Sequence, residues 1–350
     1  NTPRLDYSGG ASCPSLLLEP SRTNLAISSE LLDNTFYSNI NSSVTNNNAT
    51  SPEGVQNAAL LKNTYDDNQA SYIRDLSVGM APSTTYTATI YAKYVNCQYI
   101  FVRNLGVGGA PEVYFDIQNG VVGLEETGLT GDIEPIGNGW YRCIATGTTP
   151  STITNNYIDI GLANEDDGNR ESNLNQSAHL YGFQIEEAYY ATSYIPTYGV
   201  SQTRAVDDAI ATHTIADTET LTYFSEFIAP ESQTGGGEHL LENSSGSSRI
   251  RVYQNTSSTI RIRTDMPSVN FNYSYSSLGI SVGDRVKVCL SVENGVMTAF
   301  INGVKKNTFG AATINFAKLH LRPVTEMNVD STIIFPTALS DVECIALTTI

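Results

Sequence analysis

Charge is what this 350-residue sequence is poorest in: Asp, Glu, Lys and Arg together make up 16%, below the usual quarter. Basic residues are the scarcer kind, 19 Lys and Arg against 36 Asp and Glu. The resulting net charge of −17 repels phosphate and argues against nucleic acid, which is not expected as a partner. Long apolar runs are missing too; none approaches the roughly 18 to 20 residues that span a bilayer, and no membrane insertion is expected. Cysteine is sparse: Cys13, Cys97, Cys143, Cys289 and Cys344 are odd in number, scattered, and form no C-x-x-C pair. That pattern fits neither a zinc site nor a disulfide framework. Cys97, Cys143 and Cys289 lie in apolar strand-like runs, where a free thiol acts as a small hydrophobe. Folding in a reducing cytoplasm is therefore expected, with a bridge from Cys13 to another cysteine left open. A basic–apolar–small N-terminal leader is also lacking.

The place of the missing charge is taken by Ser, Thr, Asn and Gly, with 20 tyrosines. Such residues favour strands and tight turns over helices. Short alternating segments recur in the first half at Thr84–Tyr94, Tyr99–Leu105, Glu112–Ile117, Trp140–Gly147, Tyr157–Leu162 and His179–Glu186. Asn119–Gly120 marks a hairpin, and the Ser/Thr/Asn-rich stretch Asn39–Pro52 reads as a surface loop or irregular edge. After the Pro- and Gly-punctuated connector Tyr194–Gly199 the strand pattern restarts at Thr220–Phe227. Asn294–Gly295 and Asn302–Gly303 suit type I′ turns. Ser340-Asp341-Val342-Glu343 is a capping box, which predicts one short helix beginning at Ser340. The fold class is thus all-β: two jelly-roll-like β-sandwich domains, 1–200 and 205–350, with one short C-terminal helix. The first is the more acidic, since residues 1–200 carry 8 Lys and Arg against 21 Asp and Glu, and residues 201–350 carry 11 against 15.

No strand carries E-x-D-x-x-E carboxylates, and no P-loop, dinucleotide fingerprint or nucleophile elbow occurs. His179, His213, His239 and His320 lie far apart, without metal-ligand spacing. No catalytic residue is therefore assigned. Glu165, Asp166 and Asp167 form an oxygen-rich turn; Ca²⁺ takes about six to eight oxygens and is the one cofactor this turn suggests. A solvated acidic turn is the plainer reading. Trp140, the only tryptophan, lies in a strand bounded by glycines and reads as a core anchor, with a sugar-stacking platform as the alternative.

The sharpest pattern is a ladder of arginines. Arg249 and Arg251 alternate with Ile250 and Val252; Arg261 and Arg263 alternate with Ile260 and Ile262. A hairpin turning at Asn255–Ser257 pairs Arg249 with Arg263 and Arg251 with Arg261 on one face. Like charges directly opposite destabilise a sheet. Relief comes either from the protein's own carboxylates or from an anionic glycan or a neighbouring subunit.

Several strings resemble one family. Asn1-Thr2-Pro3-Arg4-Leu5-Asp6-Tyr7 with Leu16–Leu25, Gly137–Cys143, Leu180–Glu186 and Thr192–Thr197 are similar, in that order, to phage head-spike and tail-fibre domains. Residues 205–350 resemble a concanavalin A-like, laminin-G-type module in Lys287–Val304 and Ala338–Glu343. In that family upstream sequence usually precedes the opening string, so a start at Asn1 suggests a fragment, a processed chain or a partly ordered longer protein. The resemblance implies a non-enzymatic virion fibre or spike protein, made in the bacterial cytoplasm and displayed on the virion surface. It further implies glycan-binding surfaces for host attachment and closed self-assembly, with a homotrimer favoured, beside other virion proteins. Two other readings stand beside it: a polysaccharide lyase or glycosidase on a jelly-roll scaffold, and a purely structural capsid or tail decoration.

Overall fold

The computed structural model describes residues 4–6, 14–65, 69–166, 168–212, 220–230, 237–243, 245–256, 258–265, 271–310 and 316–350. The chain forms two compact units, Arg22–Arg204 and Asn1–Ser21 with Ala205–Ile350. The central unit (22–204) is thus inserted between the two parts of the flanking one. Its ends lie side by side, because Arg22–Asn24 pairs antiparallel with Gln202–Arg204. Adjacent ends are what lets one domain be carried within another.

The central unit contains two six-stranded antiparallel sheets. Sheet I runs Val121–Glu125, Glu112–Asp116, Tyr99–Arg103, Ile158–Ala163, Ser71–Asp75, Ser38–Ile40. Sheet II runs Leu129–Gly137, Trp140–Thr148, Thr85–Tyr94, Ser177–Glu186, Gln56–Asn63, Ser42–Thr50. Alternation along each strand sends one row inward: Ile100 and Val102, Val113 and Phe115 from sheet I; Tyr86, Ala88, Ile90 and Ala92 from sheet II. The small residues of sheet II, with Ala145 and Ala178, leave room for the branched and aromatic ones opposite, so the layers interdigitate. Truncating a fully buried member such as Ile90 costs about 2–5 kcal/mol. The Asn-rich stretch read as a loop or irregular edge is the edge strand Ser42–Thr50. Its register breaks between Thr45 and Ala49, where Asn47 takes φ 54°.

The flanking unit has the same design. Sheet III runs Arg4–Asp6, Ser15–Leu18, Met327–Phe335, Leu221–Ile228, Arg285–Glu293, Val296–Ile301, Val304–Phe309. Sheet IV runs Ala209–Thr212, Lys318–Arg322, Glu238–Glu242, Arg249–Thr256, Thr259–Asp265, Asn272–Tyr275. Their inner faces share one core, with Leu290, Val288 and Ala299 from sheet III and Ile250, Ile260 and Ile262 from sheet IV. Helix α1 (Asp341–Thr348) begins at the N-cap Ser340 with both halves of the capping box formed. It covers the outer face of sheet III, where Cys344 packs with Phe224, Cys289 and Phe300.

Two expectations change. The first domain does not run from residue 1 to 200, because Ser15–Leu18 pairs with Met327–Phe335 and buries Leu18 in the flanking core. Arg4 then bonds both Glu19 and Asp207, tying residues before Arg22 to residues after Arg204. The arginine hairpin also turns later than expected. Thr256 faces Thr259, and the register is Arg249 with Asp265, Arg251 with Arg263 and Tyr253 with Arg261. The turns at Asn294–Gly295 and Asn302–Gly303 have positive φ at both residues, as type I′ turns require.

Candidate functional site

On the outer face of sheet IV the arginines meet carboxylates of the same face. Asp265 receives Arg249 Nε at 3.0 Å, Arg251 at 2.6 Å and Arg263 Nε at 2.9 Å. Arg251 also reaches Glu238 at 2.8 Å, and Arg249 reaches Glu242 at 3.6 Å. Burial alone raises the Asp265 carboxyl, but hydrogen bonds from Arg249 and Arg251 outweigh it and hold the group below its usual value. Glu242 further faces Lys318 and His320, and Arg261 donates to Asn272 Oδ1 at 2.6 Å. The ladder therefore exists as a face but not as two arginine pairs. Its repulsion is relieved from within, so no external anion is needed to explain it.

The acidic turn lies beside sheet I. Glu165 and Asp166 are exposed, and Asp166 packs over Gly123, where an added Cβ would meet its Oδ2 at 2.9 Å. Asp167 lies outside the described residues. Among the described residues no group of three or more His, Cys, Asp and Glu is placed to hold a metal ion. The next residue of consequence is basic: Arg170 reaches back to Glu112 at 2.8 Å.

Glu112 belongs to a row the sequence hides. Across sheet I the register sets Arg74, Asp159, Arg103 and Glu112 side by side on the outer face. Asp159, fully buried, accepts two hydrogen bonds from Arg74 (2.6 and 2.9 Å) and one from Arg103 (3.1 Å). The Arg74 guanidinium sits 4.0 Å from the centroid of Tyr157. Its hydrogen bond to Asp159 keeps it more firmly charged than an ordinary arginine. Burial raises the Glu112 carboxyl despite its cationic neighbours. Four residues from four strands cannot be grouped from sequence spacing.

The outer face of sheet II carries the aromatic residues. Trp140 is buried, its indole Nε1 donating to Thr50 O at 3.2 Å, which makes it an anchor and not an open platform. Beside it Tyr91, Tyr181 and Tyr194 pack at centroid distances of 5.4 to 6.2 Å. The segment 187–199 crosses this face, held by buried polar groups. Glu186 accepts from Thr192 N (2.9 Å) and Gln184 Nε2 (2.8 Å), Gln184 Oε1 accepts from Ile195 N (2.7 Å), and Arg142 donates to Thr192 O. Asn24 clamps both sides, donating to Phe183 O and Ile195 O and accepting from Ala26 N and Ile185 N. The end of the string Leu16–Leu25 (Arg22–Leu25) and the strings Gly137–Cys143, Leu180–Glu186 and Thr192–Thr197 thus converge in space, whereas Leu16–Leu18 belongs to the flanking unit. Beyond them stands Tyr198, 67% exposed, donating to Glu30 Oε1 at 2.9 Å.

The histidines do not come together. His179 sits near Trp140, and His320 bonds Asp208 on sheet IV. His213 lies outside the described residues. His239 is buried inside the flanking core, its Nδ1 at 2.9 Å from the Tyr223 hydroxyl and 3.0 Å from Ser225 Oγ. Burial drives its pKa down to about 3, so the ring is neutral. A serine against a histidine has the form of a nucleophile and its base. Here both are sealed between two sheets, out of reach of a substrate.

No protein-family model matches the sequence, and no curated protein matches it. Among solved structures, the chain is similar to sheep galectin-11 in complex with glycerol, at 9% identity and TM-score 0.30, over 37% of this chain and 96% of that one. It is also similar to the CBM40 of the Ruminococcus gnavus IT-sialidase, at 14% identity and TM-score 0.33, over 39% and 86%. A third is the heptameric SAP-like pentraxin of Limulus polyphemus, at 14% identity and TM-score 0.32, over 38% and 70%.

Proposed function

We propose that this protein is a non-enzymatic, glycan-binding component of a bacteriophage fibre or spike, displayed on the virion surface as a homotrimer for attachment to the host. The observation that carries the reading is the convergence on sheet II. Of the strings that resemble phage head-spike and tail-fibre domains, the end of the opening one (Arg22–Leu25) and the three from Gly137 to Thr197 meet there around tyrosines and carboxylates, while Leu16–Leu18 packs in the flanking unit. Aromatic faces joined to a few fixed polar groups are the usual chemistry of a small-ligand site. A homotrimer would present three copies of such a face, and many weak contacts held together give strong attachment.

Two measurements test the reading. The intact chain is applied to a glycan array and, in parallel, to a polysaccharide panel assayed for depolymerisation. Binding without chain cleavage is expected; cleavage would make the protein a lyase or glycosidase, and no binding would leave a structural decoration. Antibodies against the chain, imaged by electron microscopy, are expected to decorate phage virions.

A further inference from the structure

Two thiols that lie about 55 residues apart in the sequence meet on the outer face of sheet III. Cys289 is the centre of a row across that face, paired in register with Phe224 on one side and Phe300 on the other. The two rings close its flanks, so the open side of its thiol is the one above the sheet. Helix α1 lays Cys344 there. Both cysteines are free, and both are 0% exposed.

Each thiol carries one hydrogen, and the two are used in order. The Cys344 thiol donates to Leu339 O at 3.6 Å, and the Cys289 thiol bonds the Cys344 sulfur. The sulfurs are therefore neighbours without being joined. Burial raises both groups, but hydrogen bonds from Cys289 and Ser291 bring Cys344 part of the way back, while the contact with Cys344 raises Cys289 further. The thiolate is the form that attacks a disulfide, so Cys344 is the sulfur that reacts first. Access comes from the helix. α1 has eight residues, short of the about 12 to 15 that an isolated helix needs, and its buried residues are Cys344 and Thr348. It stays folded by resting on the sheet, and so opens more readily than the ladder beneath it.

We infer that Cys289 and Cys344 are a disulfide site, which clamps α1 to sheet III when the chain meets an oxidant of the disulfide class such as oxidised glutathione. The Cys344 thiolate, its proton released to water, attacks one sulfur of the oxidant, forming a mixed disulfide and expelling one thiolate. Cys289, deprotonated in turn, attacks the Cys344 sulfur, and the oxidant's second thiolate leaves. The protein gives up two protons and two electrons, and the oxidant is reduced to two thiols. A bridge closing a loop of this length takes freedom chiefly from the unfolded chain.

The test is the intact chain, incubated with oxidised glutathione without denaturant. Remaining thiols are then blocked, and proteolytic peptides are read by mass spectrometry. The Cys289 and Cys344 peptides are expected to be joined, with the melting temperature raised by about 5 °C or more and restored by a reductant. Ser340→Ala, which weakens the N-cap but touches neither sulfur, should speed the bridging severalfold. Cys344→Ser should abolish both the joined peptide and the rise. Cys289 and Cys344 recovered free after prolonged oxidation of Ser340→Ala, held only as glutathione adducts, or joined to other cysteines would overturn the site. A joined peptide with no rise in melting temperature would overturn the clamp.

Discussion

Arg251 and Arg263 stand directly opposite one another on adjacent antiparallel strands, and the Asp265 carboxylate holds both, at 2.6 and 2.9 Å. Two like charges in that position repel. Asp265 turns the repulsion into a shared charge-assisted contact.

Asp265→Asn is therefore expected to destabilise the flanking unit by about 1–2 kcal/mol, a value kept modest because the arginines are partly solvated. Added salt should recover part of the loss by screening the exposed guanidinium groups. Adding Arg263→Gln to Asp265→Asn should also recover part of it. Urea unfolding of the single and double variants measures this. A neutral Asp265→Asn, with sulfate raising the melting temperature of wild type, would instead mark an anion site.

His239 predicts an acid-sensitive core. Its folded pKa, near 3, is depressed below the ordinary value of 6.5, so the unfolded chain binds the proton first. The associated stability is fully present above pH 6.5 and is lost as the pH falls towards the folded value. The loss is about 1.4 kcal/mol for each pH unit in that window. His239→Leu should flatten the stability profile between about pH 6.5 and 4.5, before most carboxylates titrate. A profile identical to that of wild type would place the acid sensitivity elsewhere.

What could be read from the sequence was what is decided locally. The Ser340 capping box and the turns at Asn294–Gly295 and Asn302–Gly303 depend on residues within four positions of one another, and each stands as read. The arginine face was legible from its alternation alone. Its register was not, yet a slip of two residues leaves every side chain on the same face. That slip hid Asp265, and with it the internal neutralisation. The strand Ser15–Leu18 was legible as a strand but not as part of the flanking unit, because its partner Met327–Phe335 lies about 310 residues away. The row Arg74, Asp159, Arg103 and Glu112 exists only through strand pairing.

Ser340→Ala removes the side chain that accepts from Glu343 N and donates to its carboxylate. A loss of about 1 kcal/mol is expected, with Ser340→Asp closer to wild type. Because α1 carries Cys344 into the cluster with Cys289 and Phe300, fraying should also open that cluster. Reaction of the Cys289 and Cys344 thiols with a bulky thiol reagent, followed against unfolding, reports it. Unaltered protection of both thiols would show that packing alone holds the helix.

Gly161 sits between strands of sheet I where no side chain fits. A Cβ there would lie 2.3 Å from Phe101 Cζ, 2.5 Å from Phe101 Cε1 and 2.7 Å from the Ser71 carbonyl oxygen. Phe101 is fully buried and packs against Tyr114 at 5.9 Å and Tyr72 at 6.4 Å, so its ring has nowhere to withdraw. The carbonyl belongs to the strand Ser71–Asp75 and can yield only by distorting the ladder. Gly161→Ala should therefore cost about 1–3 kcal/mol or more by overpacking, although alanine is otherwise a mild change. Gly79→Ala is the control, since nothing lies within 4 Å of its added Cβ. There the smaller backbone freedom of the unfolded chain should make the change neutral or stabilising by up to about 1 kcal/mol. Thermal melts of the two variants decide the matter. Equal melting temperatures would mean that the aromatic row can slide, and that Gly161 marks no close approach.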